Sequence, residues 1–216
     1  RDQQLTSLLE RKNELPLRTR NKLDALVEGN LDDTEADIHD MLCDNDGENY
    51  QGLDSNRDTE AEVETAIRFF PDVISEPDDE HGMYPIQWLY ALRDNAYSYL
   101  KCNVKSVSFF QLLARLAIEF RCFEEHERGG LLIEDNRNDI MLQSLMYNSH
   151  KSYGVEHKQL VDTVFWRELL QLRRMNLFIK GDIREYDLLP IACQGSYFNE
   201  NRVFEYYLRY FPNKSG

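Results

Sequence analysis

No run of the chain approaches the roughly 20 consecutive apolar residues that a membrane-spanning helix needs, so the sequence predicts no membrane segment. Cysteine pairing signals are missing too. Cys43, Cys102, Cys122 and Cys193 are scattered without Cys-x-x-Cys spacing, and a chain of this length does not depend on disulfides for its core. That usage, with no secretory signal visible, favours a reduced, cytoplasmic setting, although an even count leaves two bridges open. Basic residues are scarce. With 25 Lys and Arg against 39 Asp and Glu, the net charge is −14, the opposite of what displacing counterions from a phosphate backbone requires. Nucleic acid is therefore excluded as a general partner.

Signatures of catalysis are absent as well. Gly129-Gly130 lacks the lysine and the strand of a phosphate loop, and no Gly-x-Ser-x-Gly elbow occurs. His150 and His157 stand too far apart for the i, i+4 pair of a helical zinc site. Cys122 lies four residues from His126, but it ends an apolar helix and reads as a buried, inert thiol. Between Asp44 and Asp58 the chain is rich in Asp and Asn. With Gly47 as the central glycine, however, the first and twelfth positions of a calcium loop would be Leu42 and Leu53, which cannot ligate a hard cation. The sequence thus names no catalytic residue, no metal ligand and no cofactor.

What is present is helical periodicity. Leu5, Leu8 and Leu9, then Leu23, Leu26 and Val27, outline two short helices divided at Leu15-Pro16. Asp32 and Thr34 open a third helix that carries Ile38, Met41 and Leu42. From Asp24 to Glu80 there are 20 acidic residues against two basic ones, so most of the charge imbalance sits there. Within that span, residues 44–58 are too polar to bury themselves and are expected to form a solvated, flexible linker. Val63, Ala66, Ile67 and Phe70 then share one face of a helix that stops at Pro71. Phe204, Tyr207, Leu208 and Phe211 repeat that spacing, and both helices end alike, Arg-Phe-Phe-Pro at 68–71 and Arg-Tyr-Phe-Pro at 209–212.

The most organised stretch is Asp79 to Leu92. Gly82 supplies a positive φ, Pro85 is pre-set for the first position of a helix, and Ile86, Leu89 and Tyr90 recur at helical spacing. In type and order these residues resemble the ankyrin repeat. Asp79, Gly82 and Pro85 match its pattern outright, Ile86 stands for Leu, Gln87 for His and Leu89 for Ala, while Tyr84 replaces the capping Thr. Two weaker copies follow. Asp135 to Leu145 has Asn138 at the glycine and Gln143 at the place of Gln87; Asp182 to Ala192 has Glu185 at the glycine and Pro190 at the histidine. The copies begin 56 and 47 residues apart, so insertions are expected relative to the usual repeat of about 33. An apolar helix follows each copy. The first of these, Ser106 to Phe123, presents Phe109, Leu112, Leu113, Leu116, Ala117 and Phe120 on one face and Phe110, Ala114 and Ile118 on another, the pattern of a helix covered from two sides.

The resemblance implies an all-α, helical-repeat solenoid. A helical N-terminal segment at 1–43 and an acidic linker at 44–58 precede ankyrin-like units over 59–212, with a first helix at 59–71 and copies near 79–123, 135–175 and 182–212. It implies a non-catalytic protein–protein interaction scaffold that buries a partner segment in a concave face, with its acidic surface favouring a basic partner. The partner-binding residues it points to are Trp88, which is otherwise a core anchor, and the rim residues Asp79, Glu80, His81, Arg93, Asn136, Arg137 and Arg184. Trp166 reads as core. Two other classes stay open: a compact all-α enzyme or metal-dependent regulator with a single deep pocket, and an acidic decoy that masks a basic protein surface.

Overall fold

Pro16 divides the N-terminal helices as predicted: α1 spans Asp2–Glu10, α2 spans Leu17–Ala25, and a short 3-10 turn at Lys12–Glu14 lies between them. The computed structural model describes residues 2–25, 31–44, 46, 49–89, 91–94, 99–102, 104–135, 138–146, 167–188 and 190. Helix α3, Leu31–Cys43, buries Ile38, Met41 and Leu42, the three positions its spacing selects. Asp37 on its inner side is also buried, and Arg18 and Lys22 of α2 neutralise it. An unpaired carboxylate at that depth would be strongly destabilising; paired, it ties α2 to α3.

Residues 49–58 are irregular and lie against the body instead of standing off in solvent. Leu53 is fully buried and Asp58 nearly so. Asp58 accepts hydrogen bonds from the backbone N–H of Asp54 (2.9 Å) and from the Arg57 guanidinium (2.9 and 2.8 Å). Arg57 also donates to the carbonyl of Gly52 at 2.6 Å, and the N–H of Ser55 reaches the carbonyl of Lys105 at 2.9 Å. Acidic composition concealed this, because the docking depends on one leucine and on partners distant in sequence, Arg18 at the carbonyl of Gln51 and Lys105 at Asp54.

Helix α4, Glu60–Phe69, begins at a capping box in which Thr59 and Glu62 exchange hydrogen bonds, satisfying two N–H groups that a helix start leaves orphaned. Val63, Ala66, Ile67 and Phe70 are all buried. After a 3-10 turn at Pro71–Ile74 comes α5, Pro85–Trp88, which is a single turn where the sequence predicts a longer helix through Tyr90. The carbonyl of Leu89, which a continuing helix would offer to its own backbone, instead accepts the Ser106 hydroxyl at 2.7 Å. The chain then enters an antiparallel hairpin, β1 Ala91–Asp94 with β2 Tyr99–Cys102, in which Ala91 pairs with Cys102. It is the one strand pair longer than a single bridge among the described residues, in an otherwise helical structure.

Helix α6, Phe110–Phe120, follows a 3-10 turn at Val107–Phe109. Phe109, Leu112, Leu113, Leu116 and Ala117 are buried on one side, and Phe110 and Ala114 on the other. Ile118 departs from that pattern at 47% exposure. Helix α7 spans Met141–Met146, residues 167–174 form α8, and α9 spans Lys180–Glu185. One continuous apolar cluster runs from Leu8 to Leu188. Within it α3 packs on α5, and α4 on α6. No helix among the described residues is long and apolar enough to cross a membrane.

Helices α6 and α8 finish alike. Arg121 and Asn176 adopt left-handed conformations, with φ of 58° and 60°. One residue further on, the N–H of Cys122 bonds the carbonyl of Ala117 at 2.9 Å, and that of Leu177 bonds Leu172 at 2.8 Å. These are paired Schellman endings that satisfy the last carbonyls of each helix.

Candidate functional site

The turn between α4 and α5 is organised by Asp78, one residue before the aspartate to which the sequence pattern points. Its backbone carbonyl accepts the N–H of Gly82 at 2.9 Å, and its own N–H bonds the carbonyl of Met83 at 2.9 Å. Carboxylate oxygen Oδ1 takes the Met83 N–H (2.8 Å) and the Trp88 indole N–H (3.0 Å), while Oδ2 takes the His81 N–H (2.8 Å) and faces His81 Nδ1 (3.1 Å). Burial alone would raise the Asp78 carboxyl, but these donors hold it below the usual carboxylate range. Gly82 sits at φ 67°, as its role in the turn requires.

The same device recurs at Asp135. Its carbonyl accepts the Asn138 N–H (3.0 Å), its N–H bonds the carbonyl of Asp139 (2.8 Å), and its Oδ1 accepts the Asp139 N–H (3.0 Å). Asn138 has φ 62°, so it does the work of Gly82 in a loop one residue shorter. Each turn then leads to a glutamine with two tasks. Gln87 Oε1 accepts the Tyr84 N–H and Gln143 Oε1 the Ile140 N–H, both at 2.8 Å. The Gln87 amide reaches forward to the carbonyl of Ile133 (3.3 Å), and that of Gln143 to the carbonyl of Tyr186 (3.2 Å). A third rung precedes these two: His39 Nε2 on α3 lies 2.9 Å from the carbonyl of Glu76. Three side chains, at 39, 87 and 143, thus bridge to the backbone of the loop that follows.

The third sequence copy requires a shift of register. Asp182 does not open a turn; it lies inside α9 with no exposed surface. Its Oδ2 accepts the Ile179 N–H (2.8 Å) and the Arg128 guanidinium (2.6 Å). The residue with positive φ is Asp187, at 51°. Placing Asp187 opposite Gly82 sets buried Leu188 opposite buried Met83 and, by count along the sequence, Pro190 opposite Pro85 instead of Gln87.

Of the expected contact residues, Trp88 is a core residue: it is 3% exposed, its indole N–H is taken by Asp78, and His81 packs edge-on to it at 5.2 Å. Of the two readings the sequence leaves for Trp88, its burial is that of a core anchor. Asp79 and Glu80 are exposed at the tip of the turn with His81 half-buried between Asp78 and Glu80, and Arg184 is exposed on α9. Arg93 lies in β1, but its side chain falls outside the description. Asn136, Arg137, Trp166, His150, His157 and the Arg209–Pro212 helix ending lie outside the described residues.

Cysteine chemistry follows the same logic of burial. Cys43 and Cys122 are free thiols, and burial pushes both up, with Asp78 and Asp40 adding to the effect at Cys43. Cys122 Sγ is directed at the carbonyl of Pro71, 3.8 Å away. Among the described residues no three His, Cys, Asp or Glu side chains converge as a metal cluster. Gly129 and Gly130, at φ 69° and 91°, serve packing: a Cβ on Gly129 would stand 2.5 Å from the carbonyl oxygen of Ala114 in α6. Sequence reasoning missed Asp78 because two aspartates are adjacent, and it missed the His39 rung because nothing near residue 39 announces a contact with residue 76. No protein family matches the chain, and neither does any curated protein or solved structure.

Proposed function

We propose that this chain is a non-catalytic protein–protein interaction scaffold, a solenoid of divergent ankyrin-like units in which α3–α4, α5–α6 and α7–α8 are successive helix pairs. The observation that carries the reading is the set of rungs from His39, Gln87 and Gln143 to the next loop. It is joined by the packing of α3 on α5 and α4 on α6, the like-on-like contact that stacked helix pairs make. The turn at Asp78 is fixed by hydrogen bonds that leave Asp79 and Glu80 exposed, so binding a partner there orders little further backbone. Asp79, Glu80 and His81 form the tip of one turn, and Arg184 extends the rim. The sign of Asp79 and Glu80 and the net charge of −14 favour a basic protein partner and a salt-sensitive association rate. A reduced, cytoplasmic setting fits the free thiols of Cys43 and Cys122.

The test is affinity capture with the intact chain, set against Asp79→Lys with Glu80→Lys and against Asp46→Asn with Glu48→Gln. Loss of the captured partner in the first variant alone supports the rim. Loss in the second alone assigns the activity to the acidic stretch as a decoy, and recovery in both removes the assignment.

A further inference from the structure

The rung on α3 differs from the other two in a way that hydrogen bonding does not explain. Glutamine at 87 and 143 already supplies the N–H donor that the following loop accepts, yet position 39 carries an imidazole. One helical turn on from that imidazole is a thiol: Cys43 Sγ lies 3.6 Å from His39 Nε2. The residues four positions after Gln87 and Gln143 are Ala91 and Tyr147, neither of which offers a soft ligand. The carbonyl oxygen of Glu76 stands 2.9 Å from the same Nε2. A sulfur donor from α3 and an oxygen donor from the loop before Asp78 therefore both stand within 3.6 Å of one imidazole nitrogen, and both side chains are half-buried, which leaves a path from solvent.

We propose that His39 and Cys43, with the carbonyl of Glu76 as a third donor, form a binding site for a thiophilic divalent cation of the zinc and cobalt class. Tetrahedral zinc with bonds of about 2.3 Å to sulfur and about 2.05 Å to nitrogen sets those atoms about 3.6 Å apart, the separation found between Cys43 Sγ and His39 Nε2. The oxygen must retreat by roughly half an ångström to meet the same geometry, a movement within reach of a loop carbonyl. Binding replaces the thiol proton: the S–H bond breaks, sulfur bonds the metal, and the proton leaves to solvent. The imidazole carries its remaining proton on Nδ1 and gives the Nε2 lone pair to the metal. Asp40 and Asp78, whose charges disfavour a bare thiolate at Cys43, favour a cation at the same place. Fewer than four protein ligands leaves room for water, so this is an open site and not a closed structural one. Metal on His39 competes with its rung to Glu76 and so acts on the loop that leads to Asp78.

The test is titration of the full-length chain with Co²⁺, read by the thiolate-to-cobalt charge-transfer band, followed by displacement with Zn²⁺. His39→Gln is the decisive variant, because glutamine retains the donor for Glu76 as it does at 87 and 143 while removing the metal ligand. A single saturable band that Zn²⁺ abolishes, that persists in Cys122→Ser and that is lost in both His39→Gln and Cys43→Ser is the expected result. No band in the wild-type chain, or a band surviving either ligand variant, overturns the site. A measurement free of any variant is the alkylation rate of Cys43 followed by peptide mass: Zn²⁺ slows it about tenfold if the thiol is a ligand, and an unchanged rate sinks the proposal.

Discussion

The turns at Asp78 and Asp135 make the same backbone hydrogen bonds from different residues. Gly82 and Asn138 both hold positive φ, and Tyr84-Pro85 and Ile140-Met141 both open a helix that is locked by a glutamine. What the two turns share is a left-handed residue, a carboxylate four or three residues earlier and an amide five residues later. The turns also differ in what the carboxylate reaches. Asp78 takes the Met83 N–H, the Trp88 indole N–H and the His81 N–H and faces the His81 ring, and Asp135 takes the Asp139 N–H among its contacts. Replacing Asp78 by Ala leaves those partners of a largely buried group unpaired and should cost about 3 kcal/mol. Urea unfolding of the variant decides the matter, and a loss below about 1 kcal/mol would mean that these donors contribute little.

A second contrast sets Asp78 against Glu168 on α8, a carboxyl that is 1% exposed and has no hydrogen-bond partner for Oε2. Burial pushes Glu168 up to about 7, against the pull of Arg167 and helped by Glu60. The two acids therefore oppose each other in pH. The folded state binds the Glu168 proton more tightly than the unfolded chain does, so stability falls as pH rises from about 4.5 to about 7 and stays lower above. Asp78, whose carboxyl is depressed, contributes stability above its unfolded value of 3.8 that is lost as pH falls through its folded one. Glu168→Gln should raise stability at pH 8 by about 2 kcal/mol, below the roughly 3 kcal/mol upper bound that such a shift allows, and should leave pH 4 unchanged. Thermal melts across pH test it, and a variant no more stable at pH 8 than the wild type would show that Glu168 finds a partner in solution.

The rungs give the next step down in size. Gln87 is 3% exposed and Gln143 is half-buried, so Gln87→Leu, which leaves the Tyr84 N–H and the Ile133 carbonyl unpaired, should cost about 2 kcal/mol and Gln143→Leu about 1 kcal/mol. Denaturant midpoints of the pair provide the comparison; reversal of that order would break the parallel between the two turns.

Periodicity made the helices legible because burial on one face is a property of a single segment. Ile38, Met41 and Leu42 on α3 and Val63, Ala66, Ile67 and Phe70 on α4 could be chosen without knowing what covers them. Register was harder. Asp78-Asp79 offers two starts for one pattern, and at the third copy Asp182 matches by type while the backbone turns at Asp187. The premature end of α5 depends on Ser106 taking the Leu89 carbonyl, and the docking of 49–58 depends on Leu53 finding a place in the core and on bonds from Arg18 to Gln51 and from Ser55 to Lys105, so neither could be read locally. At Trp88 the sequence left core anchor and contact residue both open, because the acid that takes its indole N–H lies ten residues earlier.

The smallest effect is the most direct test of equivalence between the turns. If position 138 is to the second turn what 82 is to the first, exchanging their residues should act in opposite directions. Asn tolerates left-handed φ better than other side chains but less well than Gly, so Asn138→Gly removes a strain of a few tenths of a kcal/mol and Gly82→Asn introduces one of the same order. Space decides nothing at Gly82, since a Cβ built there meets no atom within 4 Å; the change is one of backbone conformation alone. Gly82→Val provides the upper mark, because a β-branched residue pays about 1–2 kcal/mol for the same angle. Should Gly82→Asn cost as much as Gly82→Val, asparagine would not be an adequate substitute at this angle, and the likeness between the two turns would rest on their hydrogen bonds alone.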